Sequence, residues 1–252
     1  GATKCDMCDP GFFQDSIEAT VCIACKDDFS EYADEYGLTQ CKPCDEGQQC
    51  LDVDAPPTPC TAGTYSDIKC QDCPPGKYTD SEGEQSCKDC DIGFYTSQSK
   101  TDFPCTPCPP GSQCANASAE PVECVPGTFA EDDQLTECDA CAVGRFQESF
   151  GSTICAECEL GLYADEERMA NCTPCPPGFQ CSVVSIQPQP CVPGKFTADF
   201  YQTVCSNCSE GYFQDSFGQT TCQKCPRGRF ANGTGISECT VCDPGDFANE
   251  SG

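Results

Sequence analysis

The chain has 252 residues, thirty of them cysteine, with 41 acidic against 13 basic side chains for a formal net charge of −28, and neither His nor Trp. Reduced thiols at that density oxidise or mispair in a cytosol, so the composition points to an oxidising, extracellular compartment. The charge excludes nucleic acid as a partner and disfavours anionic membrane surfaces, and without His there is no Ser/His or Cys/His dyad to support an enzyme.

Twelve Cys-x-x-Cys pairs run along the chain, from Cys5/Cys8 and Cys22/Cys25 to Cys222/Cys225 and Cys239/Cys242, most of them 17 residues apart. Each group of three pairs is followed by two lone cysteines: Cys50 and Cys60, then Cys114 and Cys124, then Cys181 and Cys191. The set restarts at Cys70, Cys138 and Cys205. The spacing predicts cysteine-rich super-repeats over residues 1–69, 70–137, 138–204 and 205–252, the fourth incomplete. Beside the cysteines recurs Cys-x-x-Gly-x-aromatic, as in Cys73-Pro74-Pro75-Gly76-Lys77-Tyr78 and Cys124-Val125-Pro126-Gly127-Thr128-Phe129. Pro presets φ at the second turn position and Gly accepts positive φ at the third, so the chain reverses there and leaves as a short strand.

The rings Phe13, Tyr65, Tyr78, Tyr95, Phe129, Phe146, Tyr163, Phe196, Phe213, Phe230 and Phe247 fall at one place in the pattern. Together with the neighbouring disulfide they are predicted to form almost the whole core of a unit. Phe29 is off-register and its turn lacks the Gly, which predicts an irregular second loop. The only helix signal is a single turn over Asp165 to Ala170. The predicted fold is therefore a set of small disulfide-rich tandem repeats, with short irregular β-hairpins stacked into an elongated rod and almost no helix. Each unit is expected to touch only its neighbours.

Spacing alone permits several disulfide connectivities. The economical one is a ladder in which the cysteine opening a turn bonds the first cysteine of the next pair: Cys8–Cys22, Cys25–Cys41, Cys44–Cys50, Cys60–Cys70, Cys73–Cys87, Cys90–Cys105, Cys108–Cys114 and Cys124–Cys138. It continues as Cys141–Cys155, Cys158–Cys172, Cys175–Cys181, Cys191–Cys205, Cys208–Cys222 and Cys225–Cys239. A crossed set (Cys5–Cys22, Cys8–Cys25) is the alternative. Either way, a 17-residue unit buries too little apolar area to offset roughly 1.5 kcal/mol of ordering entropy per residue, and closing a loop of that size removes about 3 kcal/mol of denatured-state freedom in the entropic model. The ladder leaves Cys5 and Cys242 over. They are expected to bridge one segment to the next if the 252 residues are a window of a tandem or head-to-tail assembly.

Cys-Pro-Pro-Gly-x-x-Cys, a Pro-bearing spacer and Cys-x-x-Gly-[Thr/Lys]-Phe occur from Cys108 to Phe129 and from Cys175 to Phe196, with a looser copy from Cys44 to Tyr65. This resembles the ephrin-receptor-like cysteine-rich repeats of large secreted or surface proteins, over essentially the whole chain. The single loops are also similar to the first module of tumour-necrosis-factor-receptor-type repeats, whose opening cysteine bonds the one that closes its loop. That similarity favours the ladder. The resemblance implies fold and compartment and leaves activity open, since such repeats serve as stalks, spacers, adhesion surfaces and matrix components.

All five Asn of the chain, Asn116, Asn171, Asn207, Asn232 and Asn249, sit in Asn-x-Ser/Thr, which predicts N-linked glycans. Asn171 and Asn207 lie directly before a cysteine that crowds the transferase, so lower occupancy is expected there. The acidic clusters Asp27, Asp28, Glu31, Asp34, Glu35 and Glu131, Asp132, Asp133 resemble calcium ligands in type, but no EF-hand loop is present, and weak screening by divalent ions is expected rather than a cage. Zinc held by paired Cys-x-x-Cys is the chemical competitor, disfavoured because thirty cysteines do not divide into fours. The longest apolar stretch, near Val183 to Ile186, is far too short to span a membrane. The reading is a non-catalytic structural extracellular glycoprotein segment, a stalk, matrix or filament component, whose partners are further copies of itself or a fibrous protein. The alternative is the ligand-binding ectodomain of a cell-surface receptor, which is expected to carry one divergent aromatic or Arg-rich patch.

Overall fold

The structure, a computed structural model, describes residues 4–248. Those residues form fourteen two-stranded antiparallel sheets, every strand two residues long, and contain no helix. Each sheet is a hairpin, and all but one of them follow a turn glycine. In the Cys124 hairpin, Thr128–Phe129 pairs with Asp139–Ala140, Thr128 opposite Ala140 and Phe129 opposite Asp139. The Cys141 N–H then donates to the Gly127 carbonyl at 2.9 Å and closes the hairpin at its turn end. Two rungs of this kind do not hold in water by themselves. The fold class is therefore the disulfide-rich hairpin repeat expected from the spacing.

Two compact bodies can be distinguished. The first comprises residues up to Pro109 with Gln113–Val122 and Asp133–Glu137; the second comprises Pro110–Ser112, Glu123–Asp132 and the residues from Cys138 on. The core is of the same kind in both. Its side chains are mostly cysteines and the residue just after the strand ring: Ala33, Ser66, Thr79 and Thr96 in the first body, and Ala130, Ala164, Thr197, Gln214 and Ala231 in the second, joined by Thr64, Thr101, Ser112 and Thr128. The rings themselves are only half-buried, and Phe230 and Phe247 are exposed. Here the structure corrects the expectation that the ring makes the core. Hairpins pack across the face that holds the disulfide and the small residue, and the ring lies on the flank. In the three short loops a cysteine itself takes the small residue's place: Cys50, Cys114 and Cys181 are all buried and bonded to cysteines only six residues away.

Ser66 occupies the place that alanine holds in the Cys124, Cys158 and Cys225 hairpins. Its Oγ is the only buried side-chain oxygen or nitrogen without a hydrogen-bond partner among the described residues. Burying such a group costs about 1 kcal/mol or more. Ser66→Ala should therefore slow exchange of the Ser66 amide, which donates to the Glu84 carbonyl at 3.2 Å, about fivefold; unchanged or faster exchange would mean that the hydroxyl is satisfied.

Contacts between hairpins reach further than nearest neighbours. The turn-glycine N–H donates to the next hairpin at its small-residue position, as Gly127 does to the Gln147 carbonyl at 2.7 Å. At the tip of the loop, a residue with left-handed φ donates its N–H to the opening cysteine of the preceding hairpin. Arg168 (φ 63) donates in this way to Cys141, and Gly235 (φ 76) to Cys208. The carbonyl of that same tip residue faces the turn glycine two hairpins back, Arg168 facing Gly127 and Gly235 facing Gly194. One loop-tip residue thus joins three consecutive hairpins.

Two further local readings are corrected. In the second loop Phe29 takes left-handed φ (63), Ser30 replaces the turn glycine as acceptor for the Cys44 N–H, and Tyr32, opposite Lys42, stands at the ring position. The loop is longer but rejoins the common register. Residues Asp165 to Ala170 form a turn and no helix, because Arg168 at its centre adopts left-handed φ.

Candidate functional site: staples, sequons and loop tips

The structure brings the cysteines together as fourteen disulfides. They are Cys8–Cys22, Cys25–Cys41, Cys44–Cys50, Cys60–Cys70, Cys73–Cys87, Cys90–Cys105 and Cys108–Cys114, followed by Cys124–Cys138, Cys141–Cys155, Cys158–Cys172, Cys175–Cys181, Cys191–Cys205, Cys208–Cys222 and Cys225–Cys239. Eleven of the bridges tie the turn end of a hairpin to the start of its return strand, whereas Cys44–Cys50, Cys108–Cys114 and Cys175–Cys181 tie it to the end of the first strand. Cys5 and Cys242 are free thiols, Cys5 exposed and Cys242 half-buried. One group of candidate metal ligands, Cys25, Glu31 and Cys41, gathers within a few ångströms. Its two sulfurs are bonded to each other, so neither offers the thiolate that zinc requires.

The first acidic cluster is largely engaged with its own chain. The Lys42 ammonium lies 2.7 Å from Asp34 and 2.9 Å from Glu35. Its hydrogen bond holds the Asp34 carboxyl below the usual range and pushes Lys42 up. Asp28 is likewise lowered by the Ser30 hydroxyl and amide, and Glu31 accepts the Lys26 N–H. These carboxylates cap turns and neutralise one lysine, leaving no convergent set of oxygens for a hard cation. Glu131, Asp132 and Asp133 are exposed on a loop.

Asn116, Asn171, Asn207 and Asn232 are all exposed, and Asn249 lies outside the described residues. Asn116 is the most clearly presented. Its Oδ1 accepts the Ser118 N–H at 3.0 Å and the Ser118 hydroxyl at 2.8 Å, which leaves the amide nitrogen as the unengaged group of the sequon. Asn207 sits in the short strand Ser206–Asn207 opposite Lys195, with the Gly235 loop tip against its side chain. Protein from a secretory host should show glycopeptides at Asn116 and Asn232 at higher occupancy than at Asn171 and Asn207. Peptide mass spectrometry finding all of them unmodified would reject these as acceptor sites.

A loop device was overlooked in the sequence. Gln14, Gln147 and Gln214 each follow a strand phenylalanine, and each donates from Nε2 across its loop, to the carbonyls of Val21, Ile154 and Thr221. Each also accepts, at Oε1, the N–H of the serine two residues on. The clamp holds out an apolar tip, respectively Ile17, Phe150 and Phe217, all exposed. The signal was present as Phe-Gln-[Asp/Glu]-Ser at 13–16, 146–149 and 213–216. A further exposed aromatic pair, Phe200 and Tyr201, with ring centroids 6.4 Å apart, forms another loop tip.

Tandem hairpins, each closed by a disulfide and built around sulfur instead of a hydrocarbon core, define a cysteine-rich repeat of extracellular type. Residues 63–102 and 194–239 match the family described as tyrosine-protein kinase ephrin type A/B receptor-like, so these two stretches are ephrin-receptor-like cysteine-rich repeats. Both matches open on the same turn glycine of the pattern, Gly63 and Gly194, one in each body. Comparison with curated proteins finds no match. No helix among the described residues is long and apolar enough to cross a membrane.

Proposed function

We propose that this chain is a segment of a non-catalytic structural glycoprotein outside the cell, a stalk, matrix or filament component that associates with further copies of itself or with a fibrous partner. The observation that carries the reading is the recurring way hairpins are joined within each body, turn glycine to next hairpin as at Gly63, Gly76, Gly144 and Gly194, and loop tip to the preceding cysteine as at Gly83, Lys100, Arg168 and Gly218. A covalently stapled, repetitively hydrogen-bonded chain bears load and resists proteases without any enclosed cleft. Electron microscopy of native material tests it: fibres with a regular subunit rise are expected, and dispersed single molecules would reject it.

A second reading is favoured by one observation. The exposed rings of Phe200 and Tyr201 are an aromatic feature of the kind a ligand-binding ectodomain uses. A membrane-spanning segment elsewhere in the full gene, together with dispersed particles, would support that reading.

A further inference from the structure

Charge is unevenly distributed along the chain. Residues 1–171 contain 34 acidic and nine basic side chains, a net charge of −25, whereas residues 172–236 contain three acidic (Asp199, Glu210, Asp215) and four basic (Lys195, Lys224, Arg227, Arg229), a net charge of +1. High like charge keeps chains apart and near-zero charge lets them associate. The near-neutral stretch also carries three exposed aromatic side chains at loop tips, while Phe150 stands at a tip of the acidic stretch. Phe200 is 55 % exposed, Tyr201 58 % and Phe217 62 %.

These tips belong to adjacent hairpins of the second body. The Gly218 N–H donates to the Cys191 carbonyl, and the Thr197 N–H to the Gln219 carbonyl, which lays the loop of Phe217 on the hairpin whose own tip is Phe200–Tyr201. Tyr201 also holds left-handed φ (66), a conformation disfavoured for a bulky ring. Gly83, Gly151, Gly218 and Gly235 meet the same demand in the same register of their hairpins. An exposed ring kept at a strained position, beside Phe200 and one hairpin from the tip of Phe217, is a feature from which function is properly inferred.

We propose that Phe200, Tyr201 and Phe217 form a self-association surface on which the same face of a second copy of this chain docks. The inference rests on the self-associating reading above and supplies its contact. Charge selects the occupant. A basic partner would be drawn to the acidic residues of 1–171 rather than to a segment of net charge +1. Face-to-face docking of two copies joins two segments that do not repel each other.

The test is sedimentation equilibrium on the full chain. Three proteins are compared: wild type, the triple variant Phe200→Ser/Tyr201→Gly/Phe217→Ser, and Ile17→Ser. Serine and glycine are residues that other hairpins carry at these registers (Ser99, Gly83), and Tyr201→Gly relieves the backbone, so the triple variant should fold; an unchanged disulfide count and amide-exchange pattern verify that it does. Wild type is expected to dimerise, with association unchanged or tightened by salt, because salt screens only the acidic repulsion. The triple variant should weaken the dimer at least tenfold, and Ile17→Ser should change it less than twofold. A triple variant that dimerises like wild type overturns this surface and leaves self-association standing. Equal weakening by Ile17→Ser also overturns it. A wild type that stays monomeric at every concentration overturns both the surface and the self-associating reading.

Discussion

Incubating the chain with excess thiol reductant at neutral pH, without denaturant, should abolish amide-exchange protection in every hairpin from Cys8 to Cys239, while a strong chelator should leave protection unchanged. The reasoning starts from the two-rung sheets. Each hairpin has two strand residues on either side, half-buried rings and a small residue such as Ala130 or Ala164 for its interior. Fixing a residue costs roughly 1–2 kcal/mol of conformational entropy, and these contacts cannot balance that sum. The bridges act on the other side of the equilibrium. In the entropic model, a closed loop of about 15 residues removes about 3 kcal/mol from the unfolded ensemble, and most bridges here span 14 residues. A thiol titration of denatured protein fixes the endpoint: two reactive thiols before reduction, from Cys5 and Cys242, and thirty after. Protection surviving complete reduction would mean that packing alone holds the fold. Loss of protection with chelator would restore the zinc reading.

The parts of this architecture visible in the sequence are those that a short motif determines. Cys-x-x-Gly-x-aromatic places a turn and a strand because the glycine and the residues around it act locally, and the hairpins begin where that motif stands. The ring's exposure was not visible. A phenylalanine after a turn glycine reads as core in any fold with a hydrocarbon interior, whereas here a disulfide and a residue as small as Ala33 fill the packed face and leave the ring on the flank. The left-handed loop tip was equally hidden. Glycine marks it at Gly83, Gly151, Gly218 and Gly235, but Glu18, Lys100, Gln134, Arg168 and Tyr201 hold the same conformation without any compositional mark. At Lys100, Gln134, Arg168 and Tyr201 that φ goes with an N–H bond to the preceding hairpin, which no local propensity encodes. For the same reason Asp165 to Ala170 looks like a helical turn in isolation and is not one. The aromatic tips escaped notice because a net charge of −28 was read as an average; only the division at about residue 171 shows that Phe200, Tyr201 and Phe217 stand in a near-neutral stretch, whereas Tyr36, Phe103 and Phe150 are exposed within the acidic one.

Gly127→Ala should be among the most disruptive single substitutions outside the cysteines, and Gly228→Ala provides its control. Both glycines follow an opening cysteine by three residues and both have left-handed φ, 85 and 77. An alanine in that region costs about 1–2 kcal/mol at either place. The two differ in what a methyl group would meet. At Gly127 it would stand less than 3.0 Å from the Arg168 carbonyl oxygen and carbon, which are backbone atoms held by the Arg168 N–H bond to Cys141, whereas at Gly228 nothing lies within 4 Å. Overpacking against fixed atoms costs a further 1–3 kcal/mol, roughly. Gly127→Ala should therefore accelerate exchange at the Gly127, Arg168 and Cys141 amides, which belong to three successive hairpins, by about tenfold or more beyond the change Gly228→Ala produces around its own turn. Disulfide mapping of both variants verifies that the bridges are intact. Equal effects would assign the whole cost to φ and remove the loop-tip carbonyl from the account of how hairpins two apart are held. An effect at Gly127 confined to its own hairpin would show that consecutive hairpins are coupled through their N–H bonds alone.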